Sequence, residues 1–177
     1  HADKYSVQPE QVVEIINKLD EFYDYIIIDS PAGIEQGFEN SVVAADEAII
    51  ITTPEISAIR DADRIVGILE QRDIEPPKLI INRIRKEMMN EGDVMDIEEI
   101  TRHLSIELLG IVYDDDAIVR TSNKGEPVVL DPDILSSKGY RNIARRILGE
   151  SVPLLTIKEK EEKVSFWKKL FNIGSKK

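Results

Sequence analysis

The stretch Tyr-Asp-Tyr-Ile-Ile-Ile-Asp-Ser-Pro-Ala-Gly, residues 23–33, is an apolar, β-branched run that closes on a carboxylate and then on a Pro/Gly turn. Three further runs share its character, at residues 48–53, 78–82 and 108–113. All four are continuous rather than alternating, the pattern of strands covered on both faces. Segments with helical spacing lie around them. Residues 9–19 carry Val12, Val13, Ile15, Ile16 and Leu19, and residues 54–71 open on a proline and carry Ile56, Ile59, Ile65, Val66, Ile68 and Leu69. Asp96 stands three residues before Glu99, a capping-box signature for a helix over 96–104, and residues 138–148 stop at Gly149. Strands alternating with helices predict an α/β fold: a mostly parallel sheet with helices on both faces. Right-handed crossovers then align the strand C-termini along one edge, where ligands bind in such folds.

The chain has 177 residues, 42% of them apolar and 32% charged, which is a soluble globular composition with enough length for a real core. No apolar run approaches the ~20 residues needed to span a bilayer, and the N-terminus has no secretory pattern, so a cytoplasmic protein is expected. With no cysteine, disulfides, thiolate metal sites and cysteine nucleophiles are excluded. The chain begins at His1 rather than Met, which is the expectation for a fragment. Its net charge of −11 is uneven: residues 163–177 hold five lysines and no acid, leaving the body still more acidic than the total. Such a body repels a polyphosphate backbone, and no nucleic-acid partner is favoured.

Asp29, at the end of an expected parallel strand, is placed to hold a Mg²⁺ shell beside nucleotide phosphates; the plainer alternative is a cap on the next turn. Pro31 stiffens that turn, and Gly33 lets a backbone N–H approach an anion. Yet the chain contains no Gly-x-x-x-x-Gly-Lys-Ser/Thr loop to cradle the phosphates.

Asp-Ser-Pro-Ala-Gly-Ile-Glu-Gln-Gly (29–37), Ala-Asp-Glu-Ala-Ile-Ile-Ile-Thr-Thr-Pro-Glu (45–55), Ile-Arg-Asp-Ala-Asp-Arg-Ile (59–65), Ile-Asn-Arg (81–83) and Ser-Asn-Lys-Gly-Glu-Pro (122–127) occur in an order that resembles the MinD family of septum-site-determining ATPases. The resemblance implies a P-loop NTPase type of fold truncated at its N-terminus, because that family's deviant phosphate loop and signature lysine lie on a first strand not contained here. It implies ATP and Mg²⁺ as cofactors. Asp29 would be the catalytic and metal residue of the outer Mg²⁺ shell, and Gly33 would face the γ-phosphate. Asn82 would read the adenine edge with Arg83 beside it, and the segment Tyr113–Asp115, with Tyr113 and Asp115 as its binding residues, would form the opposite wall. Many relatives have proline where Tyr113 stands. For Asn82 the alternative is a strand-end side chain bonding its own turn.

On the helix after Pro54, Arg60, Asp61, Asp63 and Arg64 form a charged cluster. The plain alternative is a solvated face with i,i+4 pairs. The resemblance implies an ATP-dependent homodimer and a shared partner site there for proteins of the MinC and MinE type.

Residues 1–149 are expected to be the C-terminal part of the ATPase domain, 150–163 a linker ending in the charged run 158–163, and 164–174 an amphipathic helix. On a helical wheel, Val164, Phe166, Trp167, Leu170, Phe171 and Ile173 share one half, while Lys168 and Lys169 lie on the other. That is the pattern of a helix lying in a membrane interface, the lysines attracting anionic lipid; the alternative is docking on the protein itself or a partner. One tail binds marginally, and two on a dimer gain effective concentration. The combined expectation is a peripheral protein on the inner face of the cell membrane that positions the division septum, with the 177 residues alone inactive in hydrolysis. Alternatives are an ATPase of the ParA or flagellar-number type, or a catalytically silent membrane adaptor. His103, without ligand neighbours at metal spacing, is structural.

Overall fold

The computed structural model describes residues 7–72 and 74–155. The expected amphipathic segment 164–174 lies outside the described residues, as do residues 156–163 of the linker. Elements follow the order α1 (Pro9–Asp20), α2 (Gln36–Val42), β1 (Ile49–Thr52), α3 (Ile56–Leu69), β2 (Lys78–Ile84), α4 (Lys86–Glu91), α5 (Ile97–Leu104), β3 (Glu107–Tyr113), α6 (Asp116–Ser122), a 3₁₀ turn (Val128–Leu130) and α7 (Leu135–Ile147). The three strands form one sheet in the order β1-β2-β3, parallel throughout. Parallel neighbours require crossovers, and the chain supplies α3 between β1 and β2, then α4 and α5 between β2 and β3.

Two apolar layers sandwich this sheet. On one face Ile50, Leu79, Ile81, Ile111 and Tyr113 pack with Ile59, Val66 and Leu69 of α3 and Ile100 and Leu104 of α5. On the other, Ile80, Leu109 and Val112 pack with Ile143 of α7. The expected capping box holds α5 in place: the Glu99 amide donates to Asp96 at 2.8 Å and the Asp96 amide to Glu99 at 3.1 Å. Helix α3 starts two residues later than the sequence pattern indicates, with Glu55 at its N-cap, and α7 starts three earlier.

Two expectations about strands fail. Residues 25–29 form no strand, and Ile27 is 90% exposed, because no neighbouring strand among the described residues offers a ladder. Strand β1 is covered on one face only: Ile50 and Thr52 are buried, but Ile49 and Ile51 stand 42% and 63% exposed because α7 packs over β3, the far strand of the sheet.

Helix α7 sits unusually close to β3, and two glycines permit it. A Cβ on Gly139 would lie 2.8 Å from the Ile111 carbonyl oxygen, and one on Gly110 2.4 Å from a side-chain carbon of Ile143. Gly67, inside α3, has nothing within 4 Å of its virtual Cβ. Gly139→Ala should therefore destabilise the fold by about 1–3 kcal/mol through overpacking against backbone. Gly67→Ala should instead stabilise it by about 0.5–1 kcal/mol through helix propensity. Equilibrium urea unfolding of both variants checks the opposite signs.

Candidate functional site

The C-terminal ends of the three strands meet at one edge, and their charged residues meet with them. Strand β2 reaches that edge through an irregularity: Ile81 pairs with Ile111 and Ile84 with Tyr113, so Asn82 and Arg83 together oppose a single residue of β3. This is a β-bulge, a device that re-aims side chains and recurs beside functional sites. Arg83 adopts φ 56°, a left-handed conformation that non-glycine side chains seldom take. The Asn82 Oδ1 accepts from the Arg83 amide at 2.9 Å, the turn-bonding alternative of the sequence reading; its side-chain amide nitrogen stays available as a donor.

Asp114 follows β3 directly. Its amide donates to the Ile84 carbonyl at 3.0 Å, and its carboxylate accepts from Arg85 and lies 3.7 Å from the Arg83 guanidinium. Glu55 stands nearby, its carboxyl held below the usual glutamate range by a hydrogen bond with Thr53, with its own backbone, Arg83 and Arg85 adding to the effect against a burial penalty. A depressed folded value means that Glu55 adds stability at neutral pH, and the contribution disappears as the pH falls through that value. Pro54, Glu55, Arg83, Arg85, Met88 and Val94 line a cleft of about 110 Å³ here. It is smaller than the ~300 Å³ of ordinary ligand sites.

Tyr113 is buried at this edge. Asp115 is engaged inward: Oδ1 accepts from the Ala117 amide at 2.8 Å, capping α6, while Oδ2 accepts from the Ser136 hydroxyl at 3.3 Å and the Ser136 amide at 3.4 Å. Asp115 thus ties α6 to the start of α7. Asp114, expected only as part of the wall segment Tyr113–Asp115, is the carboxylate that organises the arginines.

Asp29 and Gly33 lie apart from the ladder on an exposed segment; Gly33 has φ +96° and open space around its virtual Cβ, as close anion approach requires. No group of three or more His, Asp or Glu side chains able to hold a metal occurs among the described residues. Arg60, Asp61, Asp63 and Arg64 are all exposed on α3, opposite the buried Ile59, Ala62, Val66 and Leu69. His103 is exposed in the last turn of α5.

The septum site-determining protein MinD of Bacillus subtilis is 59% identical over 162 residues, covering 91% of this chain and 60% of that protein. The chain belongs to the MinD family over this matched length. No family model matches. MinD within the MinC:MinD cell division protein complex of Aquifex aeolicus superposes with a TM-score of 0.82 at 41% identity, over 86% of this chain and 64% of that one. MinD of Pyrococcus horikoshii, complexed with Mg-ADP, superposes with a TM-score of 0.70 at 25% identity, over 79% and 56% of the two chains. This MinD-family chain therefore spans about 60% of the length of its curated relatives.

Within the MinD-type sheet edge, Asp115 makes a separable prediction. Asp115→Ala should lower stability by about 1–2 kcal/mol in the absence of any nucleotide, from the lost cap and the stranded Ser136 donors. Thermal and urea unfolding without ligand measure it; an unchanged midpoint would contradict the structural role.

Proposed function

We propose that the full-length protein is an ATPase that positions the cell-division septum, binding its nucleotide at the C-terminal edge of the sheet. What supports this most directly is the convergence of Asn82, Arg83 and Asp114 at a strained bulge at that edge, in a chain 59% identical to a MinD. Asn82 presents an amide able to pair with an adenine edge, Arg83 flanks the base, Tyr113 backs the same end of β3, and Asp115 fixes the following helix. The outer edge of β1, unpaired among the described residues, leaves room for a further strand, which would carry the phosphate loop. Gly33 then faces the γ-phosphate.

Mg²⁺ characteristically takes one or two carboxylates, several waters and the phosphate oxygens rather than an all-protein cage. A lone exposed Asp29 fits that demand as an outer-shell residue. The bound ion supplies charge neutralisation at the phosphates. The chain's own part is orientation of the base and of the Pro/Gly turn after Asp29.

Partner binding is assigned to Arg60, Asp61, Asp63 and Arg64, which no ion pair among the described residues engages. Proteins of the MinC and MinE type are the proposed partners and an ATP-dependent homodimer the binding state. Val164, Phe166, Trp167, Lys168, Lys169, Leu170, Phe171 and Ile173 are the proposed membrane contact, so the dimer sits peripherally on the inner face of the cell membrane. The 177 residues alone are proposed not to hydrolyse ATP.

In the full-length protein, Asn82→Ala should weaken Mg-ATP binding about ten-fold, the equivalent of ~1.4 kcal/mol, and erase the preference for adenine over guanine. Calorimetric titration with Mg-ATP and Mg-GTP measures both, and unchanged affinity and preference would reject the role. Vesicle sedimentation with and without Mg-ATP separates the ATPase from a silent adaptor, whose lipid binding would ignore nucleotide.

A further inference from the structure

Strand β3 is an edge strand among the described residues, and its outer side is not open. Its pairing with β2 shifts register between Leu79 and Ile80, which pair with Leu108 and Gly110, so Leu109 is an extra residue left out of the ladder. The Leu109 carbonyl finds its donor elsewhere, in the Arg146 guanidinium at 2.9 Å. Gly110 makes the approach possible, since a Cβ there would lie 3.1 Å from the same guanidinium nitrogen.

Arg146 carries two more carbonyls. Its Nε donates to Val152 at 2.9 Å and its other terminal nitrogen to Pro153 at 2.7 Å. The chain arrives there through a tight reversal after α7: Gly149 takes φ +82°, the Glu150 amide donates to the Arg145 carbonyl at 2.9 Å, and Arg145 pairs with the Glu150 carboxylate at 2.7 Å. From Pro153 the backbone continues toward the ligand edge. There the Tyr113 hydroxyl donates to the Leu155 carbonyl at 3.4 Å, and the Leu155 side chain packs on the core.

We propose that residues 152–155 are a strap, anchored by Arg146 at one end and Tyr113 at the other, that ties the root of the C-terminal segment to the ligand edge of the sheet. The strap meets the domain through its carbonyls, and Pro153 has no N–H to offer, so the domain must furnish the donors. A guanidinium with five N–H groups and a phenol are donors of the right reach. Burial pulls the Arg146 guanidinium below the usual arginine value, and the three carbonyl dipoles hold its charge. Tyr113 immediately precedes Asp114, the carboxylate that gathers Arg83 and Arg85, and residue 155 lies in the expected linker, ahead of the C-terminal segment 164–174. A shift at the ligand edge is thereby transmitted to the start of that segment, and the coupling is reciprocal. The consequence for lipid attachment rests on the function proposed above; the strap itself does not.

The absence of cysteine makes the test direct. Leu154 is 43% exposed, so a nitroxide on Leu154→Cys reports the strap while Leu155 keeps its packing. Its electron paramagnetic resonance spectrum should show an immobilised component in the 177-residue chain and lose it in both Arg146→Gln and Tyr113→Phe backgrounds. Tyr113→Phe removes one hydroxyl and retains the ring, and unfolding curves confirm that each variant is folded. A component that persists in either folded variant, or is absent from the parent, overturns the strap. In the full-length protein, Mg-ADP should shift the spectrum of the parent but not that of Tyr113→Phe. Calorimetrically verified binding with no shift overturns the coupling; absence of binding overturns the proposed function, with the strap decided by the first comparison.

Discussion

Three strands in parallel register impose most of what the rest of the chain must do. Parallel pairing puts Thr52, Ile84 and Tyr113 at one edge, so residues far apart in sequence contribute charges to one place. It also forbids hairpins between the strands, which is why α3 and the α4–α5 pair occupy the connections. Burial on both faces follows for β2 and β3, and with it the two apolar layers that orient α3 and α7.

The layers end unevenly, and the ends carry the chemistry. Over β3, paired glycines let α7 press onto the backbone, which brings Arg146 to the bulge carbonyl of Leu109. At β1 the second layer runs out, leaving Ile49 and Ile51 exposed, and Asp29 also faces solvent. The arginines on β2 need no deep burial to be held, because Asp114 engages both and Glu55 balances the remaining charge. Exposed pairs of this kind set orientation more than stability.

Much of this was legible because local signals agreed with the tertiary outcome. The continuous apolar runs at β2 and β3, the Asp96/Glu99 box and the inward Ile59, Val66 and Leu69 all came from spacing alone. Residues 25–29 misled because an apolar run states only that burial is favourable; a strand also needs a neighbour, and none of the described residues supplies it. Bulges were invisible, since a register shift is a relation between two strands. Gly110 was the available signal: a glycine inside a strand pattern marks a bulge or a close approach, and here it marks both. Asp114 and Asp115 could not be told apart by type. Only the capping geometry turns Asp115 inward and leaves Asp114 to the arginines.

The proposed function stands or falls with ligand being met at the C-terminal edge of this sheet. Amide chemical-shift mapping of the isotopically labelled full-length protein during Mg-ADP titration tests it most directly. Perturbations should concentrate at Asn82, Arg83, Tyr113 and Asp114, with Lys78 and Glu107 at the opposite strand ends unmoved. Saturating nucleotide that leaves the first four signals in place, or that shifts the opposite ends instead, would contradict it.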